Sequence, residues 1–455
     1  MQQQLENMRK YFRDGHTRSY EFRIAQLKKL KQLILDHEEE INQALYLDLK
    51  KSKEEVWATE IGFVIAEINL AISQLQHWMQ PRKVSTNLLN FPSRSYILPE
   101  PLGIVLIISP WNYPFQLLLK PLVGAIAAGN CMVLKSSEHA PATSTLMNKM
   151  ITSAFENRFI CFVEGDGAIV IPDMMNHFAF DHVLFTGSTA VGKEIYKMAA
   201  QHLVPVTLEL GGKSPCVVEH DADLKVAARR IVFSKFSNCG QMCIAPDYVL
   251  VHDSIKDKFV EVLKQTIKDF FTDEPQSQEH YGKIINSRQF NRILNYLSQG
   301  KILHGGRFEA EHLYIEPTLI EVSDMRAAVM NEEIFGPVLP IIGFNQQQQA
   351  LDLIEQHKNP LAFYVFTQSS KLANFWMQQV PAGGGCINNT TLHITNHELP
   401  FGGRGYSGIG SYQGKKSFET FSHMKSVLRS PTWFDPKIKY PPFKGKLGLF
   451  KKLIK

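Results

Sequence analysis

From residue 102 onward the chain repeats one unit: a short uninterrupted apolar run, a polar turn, then a segment of helix length. Gly103-Ile-Val-Leu-Ile-Ile-Ser109 shows no apolar–polar alternation, so as a strand it has to be covered on both faces. Leu117 to Ala128 then reads as a helix, Cys131-Met-Val-Leu134 as a strand and Ala142 to Phe155 as a helix. His182-Val-Leu-Phe185 and Val191 to Ala200 repeat the pair. Doubly covered strands joined by helices are the mark of a parallel sheet, whose pairs need long crossovers. The spacing therefore predicts an α/β fold on a doubly wound sheet, with ligands bound beyond the carboxyl ends of its strands. A second alternating stretch follows Gly211, with helices over 223–236 and Lys256–Phe271 and strands at 248–251, 338–343, 362–366 and 386–388.

A chain of 455 residues exceeds one ordinary hydrophobic core, so more than one domain or an elaborated α/β unit is expected. The first 80 residues read as helices: apolar positions fall at helical spacing between Phe22 and Leu35, and Ser52 with Glu55 forms a capping box opening a segment toward His77. Residues 83–98 read as a hairpin outside the main alternation. The N-terminus shows no secretory pattern, and no run of about 18 apolar residues is found. Six cysteines, at 131, 161, 216, 239, 243 and 386, make neither a disulfide framework nor a paired metal-ligand spacing; a reducing cytoplasm and no metal are expected. From Lys437 onward there are seven lysines and no acids, so the net charge of +5 leaves −2 for the rest, and nucleic-acid binding gains no support.

Five motifs carry chemistry. In the turn Phe236-Ser-Asn-Cys-Gly-Gln-Met-Cys-Ile-Ala-Pro-Asp-Tyr248, Cys243 is either a packing residue or a nucleophile projecting where a turn meets a strand. Gly187-Ser-Thr-Ala-Val-Gly-Lys193 follows a strand and opens a helix; Glu194 stands where a P-loop needs a hydroxyl, so a triphosphatase is unfavoured. Gly187, Ser188 and Gly192 remain candidates for a pyrophosphate at a helix N-terminus, against a plain strand-to-helix turn. Glu209, between Leu208 and Leu210, is a desolvated general base or a solvated surface acid. Asn112, just past a strand end, offers an amide to an oxyanion or simply makes a turn beside Pro114. Lys135 and Glu138 stand at another strand end, as ribose ligands or as an exposed ion pair. Gly403-Arg-Gly-Tyr-Ser-Gly408 fits the GxGxxG fingerprint on paper, but no long strand precedes it and no helix follows, so it is rejected.

Taken together, Pro110-Trp-Asn-Tyr-Pro-Phe115, Val133-Leu-Lys-Ser-Ser-Glu138, Phe185-Thr-Gly-Ser-Thr-Ala-Val-Gly-Lys193, Leu208-Glu-Leu-Gly-Gly-Lys-Ser-Pro215, Gly240-Gln-Met-Cys-Ile-Ala-Pro-Asp-Tyr248, Glu332-Glu-Ile-Phe-Gly-Pro-Val-Leu-Pro340 and Leu399-Pro-Phe-Gly-Gly403 resemble the aldehyde dehydrogenase superfamily. The resemblance runs to about residue 427, and the short chain with its Ala-Pro-Asp-Tyr ending points to the class 3 branch. It implies a Rossmann-type NAD(P)-binding domain over 1–82 and 99–210, an α/β catalytic domain over 211–405, bridging segments at 83–98 and 406–430, and a basic tail at 431–455. It implies further that Cys243 attacks an aldehyde, Glu209 is the base, and Asn112 with the Cys243 N–H holds the oxyanion. Ser188 and its helix would take the pyrophosphate of NAD or NADP, Lys135 and Glu138 the adenosine ribose, and Glu333 the nicotinamide ribose beside Phe335. A homodimer bridged through 83–98 and 410–427 is also implied.

Departures from the family pattern are Ser136 in place of a proline, which leaves NAD versus NADP open, and Met242 beside the thiol. Cys239 either forms a protective disulfide with Cys243 or fills the turn. In the lysine tail, Leu447, Leu449, Phe450, Leu453 and Ile454 interleave with the charges, as in a segment that touches anionic membrane, or as a solvated tail weakened by two glycines. The competing functional classes are a cysteine hydrolase using a histidine, and a non-catalytic nucleotide-binding protein.

Overall fold

In the computed structural model, which describes residues 1–453, two largely parallel sheets carry the chain. The first has six strands in the spatial order Gly408–Ile409, Val206–Leu210, His182–Gly187, Ile104–Ile108, Cys131–Lys135, Ile160–Val163. Five are parallel; only the short Gly408–Ile409 edge is antiparallel. Ile104–Ile108 is central and completely buried, as its uninterrupted apolar sequence requires. The crossover helix Gln116–Ala128 is buried along its whole length, and Pro141–Ala154, Gly167–His177 and Thr189–Gln201 supply the other crossovers.

The second sheet has seven strands in the order Lys301–His304, Thr318–Glu321, Val338–Phe344, Tyr248–His252, Pro215–Val218, Ala362–Phe366, Gly384–Ile387. All pairs are parallel except the Lys301–His304 edge. The hairpin read at 83–98 consists of Arg82–Val84 and Arg94–Pro101, and the latter pairs along its whole length with Ser422–Arg429. The rejected glycine motif does not open a helix; it forms the loop leading to the Gly408–Ile409 edge.

One expectation needs correction. Lys53–Trp78 does reach the length and mean hydropathy of a membrane span, at 1.4. It nevertheless packs one face into the core: Val64, Ile68 and Leu75 are fully buried on it, and Glu60 and Glu67 are buried too. In the tail, a short helix runs Leu447–Leu453 across Gly448, as one weakened by glycine; Ile454, assigned to the apolar set, and Lys455 lie outside the described residues.

Candidate active site

Where the two sheets meet, a cavity of about 250 Å³ is lined by residues from both. The first sheet presents the carboxyl ends of its strands, through Asn112, Gly187, Ser188 and Glu209. The second sheet presents its amino ends, because Cys243 precedes the strand Tyr248–His252 and Glu333 precedes Val338–Phe344. The carboxyl-end expectation therefore holds for one sheet only.

The loop carrying Cys243 is wound unusually tightly. After the helix Leu224–Phe236, three consecutive residues are left-handed: Asn238 at φ 49°, Cys239 at φ 52° and Gly240 at φ 72°. Asparagine tolerates this region and cysteine does not, so strain is held here. Only glycine fits at 240, since a Cβ would stand 2.3 Å from the Gly336 carbonyl oxygen. Gln241, fully buried, locks the loop: its side-chain amide donates to the carbonyls of Asn238 and Lys283 at 3.0 Å each and accepts from the Ile285 N–H at 3.0 Å. On the other side of Cys243, the Tyr364 hydroxyl donates to the Ile244 carbonyl at 2.6 Å. Cys239 is buried beside Gly282, outside the cavity lining, and both thiols are free.

Asn112 is buried and gives one amide N–H to the Gln241 carbonyl at 3.0 Å. An amide nitrogen carries two hydrogens, so one is left for the cavity. Glu209 lies on the strand Val206–Leu210, and neither carboxyl oxygen has a partner. Burial raises its pKa well above the usual carboxylate value. Burial, and then Glu333 and Glu209 in turn, push the Cys243 thiol up, so it rests as a neutral thiol. Glu333 is itself raised to about 8, by burial and then by Asp247. Its carboxyl lies against Gly211, where a Cβ would come within 1.9 Å of it, and Oε1 is buried without a partner.

Residues beyond those expected hold this segment. Arg292 donates to the carbonyls of Glu333 at 3.0 Å and Ile334 at 2.8 Å. Lys213 pairs with Asp247 and donates to the carbonyls of Val329 at 2.8 Å and Glu332 at 2.9 Å. Phe335, at φ 50°, meets Trp111 edge to face at 5.3 Å. None of these links joins neighbours in sequence; one trace is a charged residue in an otherwise apolar surrounding, such as Lys213 after Gly211-Gly212.

On the sheet side, the Ser188 hydroxyl caps the helix Thr189–Gln201 by accepting from the Val191 N–H at 3.4 Å. Lys135 donates to Glu138 at 3.1 Å, and Glu138 accepts from the Gly167 N–H at 3.3 Å. Lys135, Glu138 and Gly192 do not line the cavity; Gly192 packs against Leu210, with a Cβ there 2.4 Å from its methyl carbon. The arrangement fits a nicotinamide dinucleotide: Thr186 Oγ1 and Glu333 Oε1 are buried without partners, and a capped helix opens on the same cavity. No histidine lines it among the described residues.

Two α/β sheets closing on one such cavity are the architecture of a nucleotide-dependent enzyme. The chain belongs to the aldehyde dehydrogenase family, whose model matches residues 1–427. It is a class 3-like, NAD(P)-dependent member that oxidises an aldehyde to the carboxylic acid. It is 42% identical to 4,4'-diaponeurosporen-aldehyde dehydrogenase of Staphylococcus aureus over 100% of this chain and 99% of that protein. It is also 42% identical to the dimeric NADP-preferring aldehyde dehydrogenase of Canis lupus familiaris, over 97% and 98% of the two chains. A substrate-bound structure of Staphylococcus aureus AldH superposes with a TM-score of 0.97 at 42% identity, covering 100% and 99% of the chains. The NAD+ complex of a Bacillus cereus aldehyde dehydrogenase gives 0.84 at 28% identity over 94% and 88%.

Proposed function

We propose that Cys243 is the nucleophile, Glu209 the general base and Asn112 the oxyanion donor of this oxidation. The reading rests on one observation: these three residues line a single cavity with Glu333. As the Cys243 sulfur bonds to the aldehyde carbon, its proton leaves to a carboxylate and the carbonyl electron pair moves to oxygen. The second N–H of Asn112 and the Cys243 backbone N–H hold that oxyanion. NAD(P)+, held by the residues named below, would supply the acceptor for the hydride lost from the thiohemiacetal carbon. A thioester on Cys243 remains. Glu209 takes a proton from water as it attacks the thioester, and the sulfur departs with the electron pair. Glu333 holds a ribose hydroxyl with its free oxygen, Phe335 packs beside it, and Ser188 with Gly187 and Gly192 places the helix start at the pyrophosphate. Lys135 and Glu138 take the second ribose.

Replacing Cys243 by Ser should abolish NAD(P)H formation from aldehyde. Full activity of that variant would refute the mechanism.

The domain division set out above, a lipophilic substrate and a homodimer joined through the hairpin and the strand Ser422–Arg429 complete the proposal. Exposed Leu88 and Phe91 on the hairpin support the dimer. The protein is cytoplasmic and touches anionic membrane through 437–455. Trp433, Tyr440, Phe443 and Leu447 are exposed along that lysine-rich tail, as interfacial contact requires. The name of the Staphylococcus aureus relative, which specifies a diaponeurosporen-aldehyde, supports a lipophilic substrate. Deleting 437–455 should weaken binding to anionic vesicles at low salt; unchanged binding refutes the membrane contact.

A further inference from the structure

Behind the cavity lies an ion pair with no access to water at all. Lys51 Nζ meets Glu60 Oε1 at 2.6 Å, and both side chains are wholly buried. A buried pair of this kind is weak as a source of stability, because desolvation offsets its attraction. Its remaining contacts converge on one place. Lys51 Nζ also donates to the main-chain carbonyl of Asn112 at 3.2 Å, and the second carboxyl oxygen of Glu60 accepts from the Gln116 N–H at 2.8 Å. The same ammonium sits 3.8 Å from the ring centre of Tyr113. The pair thus grips both ends of the loop 112–116, whose first residue lines the cavity together with Cys243.

The local backbone is bent to allow this. Glu60 lies in a single π-helical turn, Trp57–Ile61, between the helices Lys53–Val56 and Gly62–Trp78. Such a turn inserts an extra residue and marks functional positions in helices. It needs glycine at 62, where a Cβ would stand 2.6 Å from the Trp57 carbonyl oxygen. Lys51 follows the helix Glu38–Leu49 after Lys50, which ends that helix in the left-handed region at φ 54°. The Asn112 carbonyl takes a second bond from the Asn238 side chain at 2.8 Å, so the ion pair, the oxyanion amide and the nucleophile loop form one connected network.

We propose that Lys51 and Glu60 are positioning residues for the oxidation: they fix the Asn112 amide at the place where the oxyanion forms. This rests on the reading of Asn112 as oxyanion donor. A misplacement of about 1 Å in such a donor can cost on the order of a hundredfold in rate, and loss of one oxyanion donor about 100- to 1,000-fold in kcat.

The test is a double-mutant cycle on the full-length enzyme with NAD(P)+ and a simple aldehyde. K51M/E60L replaces the pair with apolar groups of similar size, and Asn112→Ala removes the donor. The expected result is a fall in kcat of about tenfold to a hundredfold for K51M/E60L, with KM for aldehyde nearly unchanged, since the oxyanion exists only after attack. In the Asn112→Ala background the same pair of substitutions should change kcat less than about twofold. Glu60→Gln, which keeps the side chain's shape, should show the same background dependence if K51M/E60L does not fold. An equal loss in both backgrounds, or no loss in either, overturns the positioning role while leaving Asn112 its function. No effect of Asn112→Ala alone overturns both.

Discussion

Glu209→Gln should yield a protein that is more stable and inactive at once. The carboxyl is 2% exposed, its two oxygens have no partner, and burial holds its pKa well above the ordinary 4.5. Between that ordinary value and the raised one, the folded protein keeps a proton that the unfolded chain has released. Stability therefore falls as pH rises through this window, by about 1.4 kcal/mol per pH unit. Glutamine has the same shape and no proton to lose, so it escapes this term. Thermal melts of the two proteins from about pH 4.5 to pH 9 should show coincident midpoints at the acid end and a widening advantage for the variant above it. In the same samples, steady-state turnover should drop about 100- to 10,000-fold, the usual worth of a general base. A midpoint difference that does not change with pH, or a variant less stable throughout, would refute the reasoning.

Lys235 is wholly buried, its amine has no partner, and burial, opposed by Asp247, lowers its pKa to about 8. Its cost is fully present below that value and is relieved as pH rises toward 10.5. Lys235→Met should therefore raise the melting temperature at neutral pH, by up to about 3 kcal/mol of stability, with the gain fading near pH 10. Arg292→Leu removes the two bonds to the carbonyls of Glu333 and Ile334; KM for NAD(P)+ should rise about tenfold or more, with a smaller change in kcat, in initial-rate assays. Gly240→Ala combines a left-handed φ with a 2.3 Å contact to the Gly336 carbonyl; it should cost roughly 1–3 kcal/mol from the backbone alone and abolish turnover, read by melts and activity together.

Much of the fold was legible because parallel strands covered on both faces have no choice but to be apolar throughout. Ile104–Ile108, Cys131–Lys135 and Ala362–Phe366 announce themselves in this way. Val206–Leu210 does not, because Thr207 and Glu209 interrupt it, and Glu209 lines the cavity. Pro215–Val218 is four residues long and opens on a proline, which reads as a turn. At the site, Cys243, Glu209, Asn112, Gly187, Ser188, Glu333 and Phe335 were nameable from motifs and all line the cavity. Their supports were not. Arg292 stands 41 residues from Glu333, and Lys51 stands 61 from Asn112, separations at which sequence carries no geometric signal. A visible trace for the Lys51–Glu60 pair was glutamate at 60 and 67 inside a stretch apolar enough to span a membrane.

That division between legible groups and illegible supports has a physical counterpart. Glu209, Thr186 and Glu333 all have buried polar atoms without partners, and all line the cavity. Buried orphans of this kind are rare in folded proteins and costly. The charged pairs behind them, Lys51–Glu60 and Lys213–Asp247, are instead bonded to each other and to main-chain carbonyls. The cavity-facing groups lack partners, whereas the two ion pairs behind them have theirs. Substitutions should therefore separate by layer. At the cavity they should remove activity while sparing or raising stability, as for Glu209. Behind it, removal of one partner of a satisfied pair should lower both together, because the other charge is left buried and alone; for Lys213→Met, with Asp247 stranded, that loss is on the order of 3–5 kcal/mol. A Lys213→Met protein melting at the wild-type temperature would break this assignment of roles.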